Sequence, residues 1–181
     1  MKVIDTAIPD VKIIEPAVFS DERGWFMESW NHKVFCELIA DREFVQDNQS
    51  ISHKGVLRGL HYQVSPFQQG KLVRVVTGSV FDVAVDIREN SDTYGKYVAV
   101  ELSAKNRKML WIPEGFAHGF LSLEDNTTFL YKTTGYYSKD SERSINWMSS
   151  SLNIAWPNLE EVIVNEKDSS ATLFKFNKLH T

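Results

Sequence analysis

Pro113-Glu114-Gly115-Phe116-Ala117-His118-Gly119-Phe120 reads as a tight turn that runs at once into a strand carrying a histidine. Proline fixes one turn torsion, and the glycine two residues on supplies the conformational freedom the turn needs. Around this stretch the chain is written in short β-rich runs: Leu72 to Val76, Tyr97 to Leu102, Met109 to Ile112, Phe116 to Leu123 and Thr127 to Thr133. Between Phe81 and Ile87 the residues Phe81, Val83, Val85 and Ile87 alternate with Asp82, Ala84 and Asp86, a period of two. Thr77-Gly78-Ser79, Glu89-Asn90-Ser91-Asp92 and Glu124-Asp125-Asn126 mark the turns between runs. Many short strands at even spacing predict an all-β sandwich or jelly roll rather than a parallel sheet. Helical spacing of Val34, Phe35, Leu38 and Ile39, with Asn31 as N-cap, predicts one short helix. A second short turn is expected after Asp168. No repeat or linker divides the chain, so residues 1–181 are expected to form a single domain.

A Pro-x-Gly-x-x-His turn entering a strand resembles the second motif of the cupin superfamily, which implies a cupin-like jelly-roll barrel. In metal-binding cupins that histidine joins a His-x-His pair and a glutamate. Here the earlier strand reads Leu57-Arg58-Gly59-Leu60-His61-Tyr62-Gln63, with Gln63 in place of the second histidine, and Val64 to Lys71 contains no acid. Two histidines without a carboxylate make a poor divalent-metal site, so no metal is expected. His61 and His118 are then free for proton chemistry near neutral pH; the alternative is two satisfied core histidines. Parity puts Lys71 on the face of Val73 and Val75, where an ammonium can hold negative charge developing on a substrate oxygen or snorkel to solvent. Tyr131 shares a face with Phe129, and its phenol can donate a proton or simply be structural. Arg23 and Arg58 suit phosphate oxygens, which guanidinium matches in a fork geometry. Asp168 in Glu166-Lys167-Asp168 can orient a histidine, although the triplet by itself reads as exposed surface.

Composition narrows the function classes. The net charge of −4 argues against nucleic-acid binding. No apolar run reaches the roughly 20 residues that span a bilayer, and no signal-peptide core follows Met1, so no membrane is expected. Cys36 is the only cysteine, which excludes an internal disulfide and fits a cytoplasmic protein; with no recognisable histidine partner motif it reads as packing. From Asn48 to Phe81 there is no Asp or Glu, while Lys54, Arg58, Lys71, Arg74, His53 and His61 all fall there. A local positive field in an acidic chain suits a small anionic ligand.

Taken in order, the markers resemble the dTDP-4-dehydrorhamnose 3,5-epimerase family over nearly the whole chain. They run Asp21-Glu22-Arg23-Gly24-Trp25-Phe26-Met27-Glu28, Val45-Gln46-Asp47-Asn48-Gln49-Ser50-Ile51-Ser52, Gly55 to Gln63, Gly70-Lys71-Leu72-Val73-Arg74 and Asp82 to Arg88. Leu110 to Phe120, Tyr131-Lys132-Thr133-Thr134, Ser141-Glu142-Arg143 and Glu166-Lys167-Asp168 complete the set. The resemblance implies that His61 is a general base oriented and charged by Asp168. It implies that Lys71 stabilises an enolate oxygen and that Tyr131 delivers a proton from the opposite face. A cation beside the phenol is expected to favour its ionised form. Arg23 and Arg58 resemble diphosphate ligands; Phe26, Glu28, Gln46 and Asn48 resemble nucleotide contacts. His118, Glu142 and Lys167 resemble further substrate contacts, and Tyr136 and Tyr137 sit where the family places aromatics. A dTDP-sugar substrate, no cofactor and a homodimer with contacts donated by the partner follow from the same resemblance. Trp147-Met148-Ser149 departs from the family's usual Trp-Asn-Asp.

Alternatives stand beside this reading. They are a single-centre epimerase acting at C3 or C5, a 3,4-ketoisomerase, a metal-dependent cupin oxygenase, and a non-catalytic sugar-nucleotide binder. The absence of a Gly-x-Gly-x-x-Gly fingerprint speaks against nicotinamide chemistry.

Overall fold

The computed structural model describes residues 1–176, and the β-rich runs become antiparallel strands. They are β1 (Lys2–Asp5), β2 (Lys12–Glu15), β3 (Val18–Asp21), β4 (Gly24–Met27), β5 (Gln46–Ser52), β6 (Leu57–Gln63) and β7 (Lys71–Thr77). There follow β8 (Ser79–Asp86), β9 (Tyr97–Ser103), β10 (Met109–Ile112), β11 (Phe116–Ser122), β12 (Thr127–Thr133) and β13 (Glu142–Ser144). One sheet has the order β1-β2-β10-β7-β12-β5 and the second β13-β6-β11-β8-β9, while β3 and β4 pair only with each other. Strands distant in sequence lie side by side, as β10 does between β2 and β7, so the chain passes repeatedly from sheet to sheet. This is the expected cupin-like jelly roll.

Apolar residues fill three layers. Between the sheets lie Val73, Val75, Ala84, Leu110, Ile112, Phe116, Phe120 and Phe129, with Tyr131 packed against them. Outside the five-stranded sheet, Leu60, Val83, Val85 and Ala117 are covered by Ile145, Leu152 and Phe174 of the C-terminal segment. Outside the six-stranded sheet, Ile14, Leu72, Met109 and Trp111 are covered by Phe35, whose ring meets that of Trp111 edge-on at 5.2 Å. The alternation in β8 is therefore real, yet both of its faces are buried. Its apolar face points outward under the C-terminal segment, and Ala84 points inward with Asp82 on the same parity.

Helix α1 (His32–Leu38) begins where Asn31 accepts a bond from the Val34 N–H at 3.1 Å, as its N-cap position requires. The expected apolar stripe is narrower than four residues, because Leu38 is exposed and Phe35 alone is fully buried. Helix α2 (Glu166–Ser169) contains Asp168 instead of following it. Asn165 caps it, accepting from the Asp168 N–H at 2.7 Å, and that cap starts the helix three residues earlier than expected.

The turn after β8 is fixed by buried Asp86, whose carboxylate accepts from Arg88, Ser91 and Thr93. Burial alone would raise its pKa, but those donors hold it at about 2. Arg88 also lies over the Phe116 ring at 4.7 Å. Gly115 of the opening motif has φ +85°, and a Cβ there would meet the Arg88 side chain at 2.5 Å. The motif thus needs glycine for both its torsion and its room.

Candidate active site

A β-bulge builds the site. Across β6 and β11, His61 faces His118 and Arg58 faces Phe120, so Gly59 and Leu60 together oppose Gly119. Positions 58 and 61 would otherwise point to opposite faces; the extra residue turns both inward. Gly59 (φ +130°) sits so close to β11 that a Cβ there would lie 2.5 Å from the Gly119 Cα.

The inward side chains line a cavity of about 290 Å³ bounded by Asn48, Ser50, Arg58, His61, Lys71, His118, Phe120, Phe129, Tyr131, Asn165 and Asp168. A smaller lobe of about 100 Å³ shares His61, Lys71 and Tyr131 and adds Tyr62, Gln63, Gln69, Tyr137 and Glu142. Three groups capable of proton or charge chemistry therefore stand at the junction of two lobes.

His61 Nε2 lies 2.6 Å from Asp168 Oδ1, and the Gly59 N–H donates to Asp168 Oδ2 at 3.1 Å. Burial would raise the Asp168 pKa, but His61 and this backbone donor outweigh it and hold it below its ordinary value. The ionised carboxylate accepts the Nε2 proton, which leaves Nδ1 as the ring's lone-pair nitrogen. Asp168 is fully buried, so the exposed-surface reading of its triplet is wrong; the Asn165 cap turns it inward.

His118 forms a second pair, with Nε2 at 2.9 and 3.1 Å from the two oxygens of Asp82. Burial pushes its pKa down, against the pull of Asp82. Each histidine thus has a carboxylate from far in sequence: the expected Asp168 from α2 for His61, and the unforeseen Asp82 from β8 for His118. Each histidine commits a ring nitrogen to its own carboxylate. Among the described residues no group of three or more His, Cys, Asp or Glu is spaced to hold a metal ion.

Parity held for Lys71 and Tyr131. Lys71 is buried and its ammonium reaches the His61 carbonyl at 3.4 Å. Burial lowers its pKa to about 8, with Asp82 and Glu142 opposing. Tyr131 goes the other way. Burial raises its pKa, Glu142 adds to the rise, and Arg58 only partly offsets it. The expectation of an ionised phenol is thus reversed: Tyr131 keeps its proton.

The remaining residues divide by position. Arg58 donates to Ser52 Oγ and the Ile51 carbonyl, both at 3.2 Å. Gln46 donates to Asn48 at 2.8 Å. Glu142 takes the Tyr137 hydroxyl at 2.9 Å and the Lys167 ammonium at 2.6 Å. Tyr136 is 67% exposed and lines neither lobe. Arg23, Phe26 and Glu28 are not brought to this cavity. The first two belong to the β3–β4 hairpin and Glu28 follows it; Arg23 pairs there with Asp21 at 2.6 Å, and Phe26 is 68% exposed.

Of the six cations and histidines in the acid-free segment, only Arg58, His61 and Lys71 line the cavity. The positive field is further tempered by Asp82, Asp168 and Glu142. Sequence reasoning passed over Asp82, Asn165 and Ser50. Ser50 Oγ and Asn48 Nδ2 are buried without a hydrogen-bond partner, a signal that appears only in three dimensions. Cys36 does have a histidine nearby, since His32 one helical turn earlier approaches its sulfur at 3.7 Å. At the Met148 departure the loop closes on itself, with Ser149 Oγ bonded to the Asn146 carbonyl and the Phe174 N–H.

The profile of the dTDP-4-dehydrorhamnose 3,5-epimerase family matches residues 5–175. A dTDP-4-dehydrorhamnose 3,5-epimerase of Shigella flexneri is 59% identical over 175 residues, covering 96% of each chain. The crystal structure of a dTDP-6-deoxy-D-glucose-3,5-epimerase from Legionella pneumophila, in complex with dTDP-4-keto-L-rhamnose, superposes with TM-score 0.93 at 52% identity over 95% of this chain and 92% of that one. A 3'-monoepimerase from Streptomyces bikiniensis in complex with dTDP-quinovose gives TM-score 0.88 at 32% identity, over 93% and 86%. By profile, sequence identity and fold alike, the chain belongs to the dTDP-4-dehydrorhamnose 3,5-epimerase family.

Proposed function

We propose that this isomerase inverts C3 and C5 of dTDP-4-keto-6-deoxy-D-glucose, giving dTDP-4-keto-L-rhamnose, by successive enolate formation. A hydrogen beside the C4 ketone is weakly acidic because its loss places charge on the carbonyl oxygen. His61 takes that proton through the nitrogen left free by Asp168. The C–H electron pair moves into the ring and the C4 oxygen becomes anionic, held by the Lys71 ammonium. Tyr131 then gives its proton to the carbon from the opposite face. The phenolate regains a proton, and His61 loses its own, by exchange with solvent. Arg58 binds the diphosphate, while Asn48, Gln46, His118, Glu142, Lys167 and Tyr137 surround the rest of the substrate. The observation that carries this reading is the meeting of a His–Asp pair, the buried Lys71 side chain and the Tyr131 hydroxyl at one cavity.

Incubation with the keto sugar in heavy water, followed by NMR, tests it. Deuterium is expected at C3 and C5, and His61→Ala abolishes both labels while dTDP still binds. Label at a single carbon would make the protein a single-centre epimerase, and no label in the presence of binding would refute the enolate route.

Both large sheets pack into one sandwich, which favours a single working domain. The exposed hairpin supports a homodimer in which Arg23, Phe26 and Glu28 reach the partner's nucleotide. We place the enzyme in the cytoplasm, where a lone thiol stays reduced. Among the described residues no helix is long and apolar enough to cross a membrane.

A further inference from the structure

The loop after β12 carries Tyr136 and Tyr137, and its backbone is held in an uncommon way. Four consecutive residues each have a main-chain group bonded to a glutamine side chain. The Gly135 carbonyl accepts from Gln69 Nε2 at 2.7 Å. The Tyr136 carbonyl accepts from Gln63 Nε2 at 3.2 Å. The Tyr137 N–H donates to Gln46 Oε1 at 3.1 Å. The Ser138 N–H donates to Gln63 Oε1 at 2.6 Å. Gln63 holds two of the four, and it also donates to the Phe67 carbonyl at 2.6 Å. It is only 6% exposed, and it stands two residues beyond His61 on the same face of β6.

We propose that Gln63 is a positioning residue that ties the 135–138 loop to β6 and so sets the Tyr137 wall of the smaller lobe, beside His61, Lys71 and Tyr131. The inference rests on the epimerase reading above. A carboxamide suits the task because it offers both donors and an acceptor without charge. A charged side chain here would act directly on Lys71 and Glu142, which line the same lobe. Through its bond to Glu142, the Tyr137 hydroxyl carries the loop's position to the Glu142–Lys167 pair. The Gln63 side chain spends its hydrogen bonds on backbone groups, so its loss loosens the fit of the sugar more than it alters proton transfer.

The test uses Gln63→Met, which keeps length and removes every hydrogen bond. Gln63→Glu serves beside it, keeping the oxygen for Ser138 and losing the donors. Amide hydrogen exchange and the heavy-water assay are read on both and on the wild-type protein. In the wild type the Ser138 amide exchanges slowly. In Gln63→Met that protection is lost while the Thr134 amide, bonded to the Gly70 carbonyl, keeps its own. KM for the keto sugar rises about tenfold or more, with kcat changed by less than KM. Gln63→Glu retains Ser138 protection, and its exchange alone judges the clamp, because its charge also acts on Lys71 and Glu142. Wild-type KM in Gln63→Met, a loss confined to kcat, or a wild-type Ser138 amide that exchanges like free loop would each overturn the proposal. If Gln63→Met does not fold, Gln63→Glu and the wild-type exchange decide. A wild-type protein that labels neither carbon refutes the epimerase reading instead, and the exchange data still judge the clamp.

Discussion

Lys71 is the residue whose surroundings make the sharpest numerical statement. Burial lowers its pKa from 10.5 to about 8, so the ammonium required for an enolate is present at neutral pH and disappears just above it. kcat/KM is therefore expected to fall as pH rises through about 8. Lys71→Arg, which stays charged, should remove that basic limb from the pH–rate profile while lowering the plateau by about ten- to a hundredfold through misplacement. The effect on stability has the opposite sense. Between about 8 and 10.5 the unfolded chain holds more of this proton than the folded one, so the Lys71 contribution to stability improves with rising pH across that window. Parity and motif were enough to find Lys71, His61 and Tyr131. They did not find Asp82, which from the sequence was only the polar member of an alternating strand. Nor did they give Asp168 its burial, since a carboxylate 107 residues from its histidine is matched only by folding.

Among the elements, the β6–β11 pair is where local pattern and global structure diverge most. Strands β6 to β12 were readable from motif, composition and turns, with observed ends within two residues of the predicted runs, whereas β1 to β5 and β13 were not singled out. The bulge was not readable, because a one-residue excess on one strand is defined only against its partner. Strict alternation would have placed Arg58 and His61 on opposite sides of the sheet. Gly59→Ala should expose how much rests on this point. A Cβ would enter the Gly119 backbone, at a torsion that side chains rarely adopt. We expect a loss of about 3 kcal/mol or more in urea unfolding. The surviving folded fraction should have activity far below wild type, since the bulge that aims His61 and the N–H that holds Asp168 move together. Wild-type stability in this variant would mean that the strands separate freely at this site.

At the scale of the molecule, the proposed site is divided between the cavity of the sandwich and a hairpin that lies outside it. Trp25 and Phe26 are 53% and 68% exposed on a two-stranded element that joins neither sheet, an apolar display that a lone chain has little reason to keep. Light scattering should give twice the 20.8 kDa chain mass. Mixing two inactive variants, Arg23→Ala and His61→Ala, tests whether the hairpin serves the partner. If it does, random reassortment restores about a quarter of the wild-type sites, because only mixed pairs hold one complete cavity. If each chain uses its own Arg23, mixing restores nothing.

Asp168 also fixes when, during the making of the chain, chemistry becomes available. Every strand of both sheets is complete by Ser144, but the carboxylate that aims His61 arrives on a four-residue helix capped by Asn165. A nascent polypeptide halted on the ribosome before this segment, or one clipped there by a protease, carries its base without a rudder. On the proposed mechanism, a chain that stops before Asn165 is expected to lack turnover.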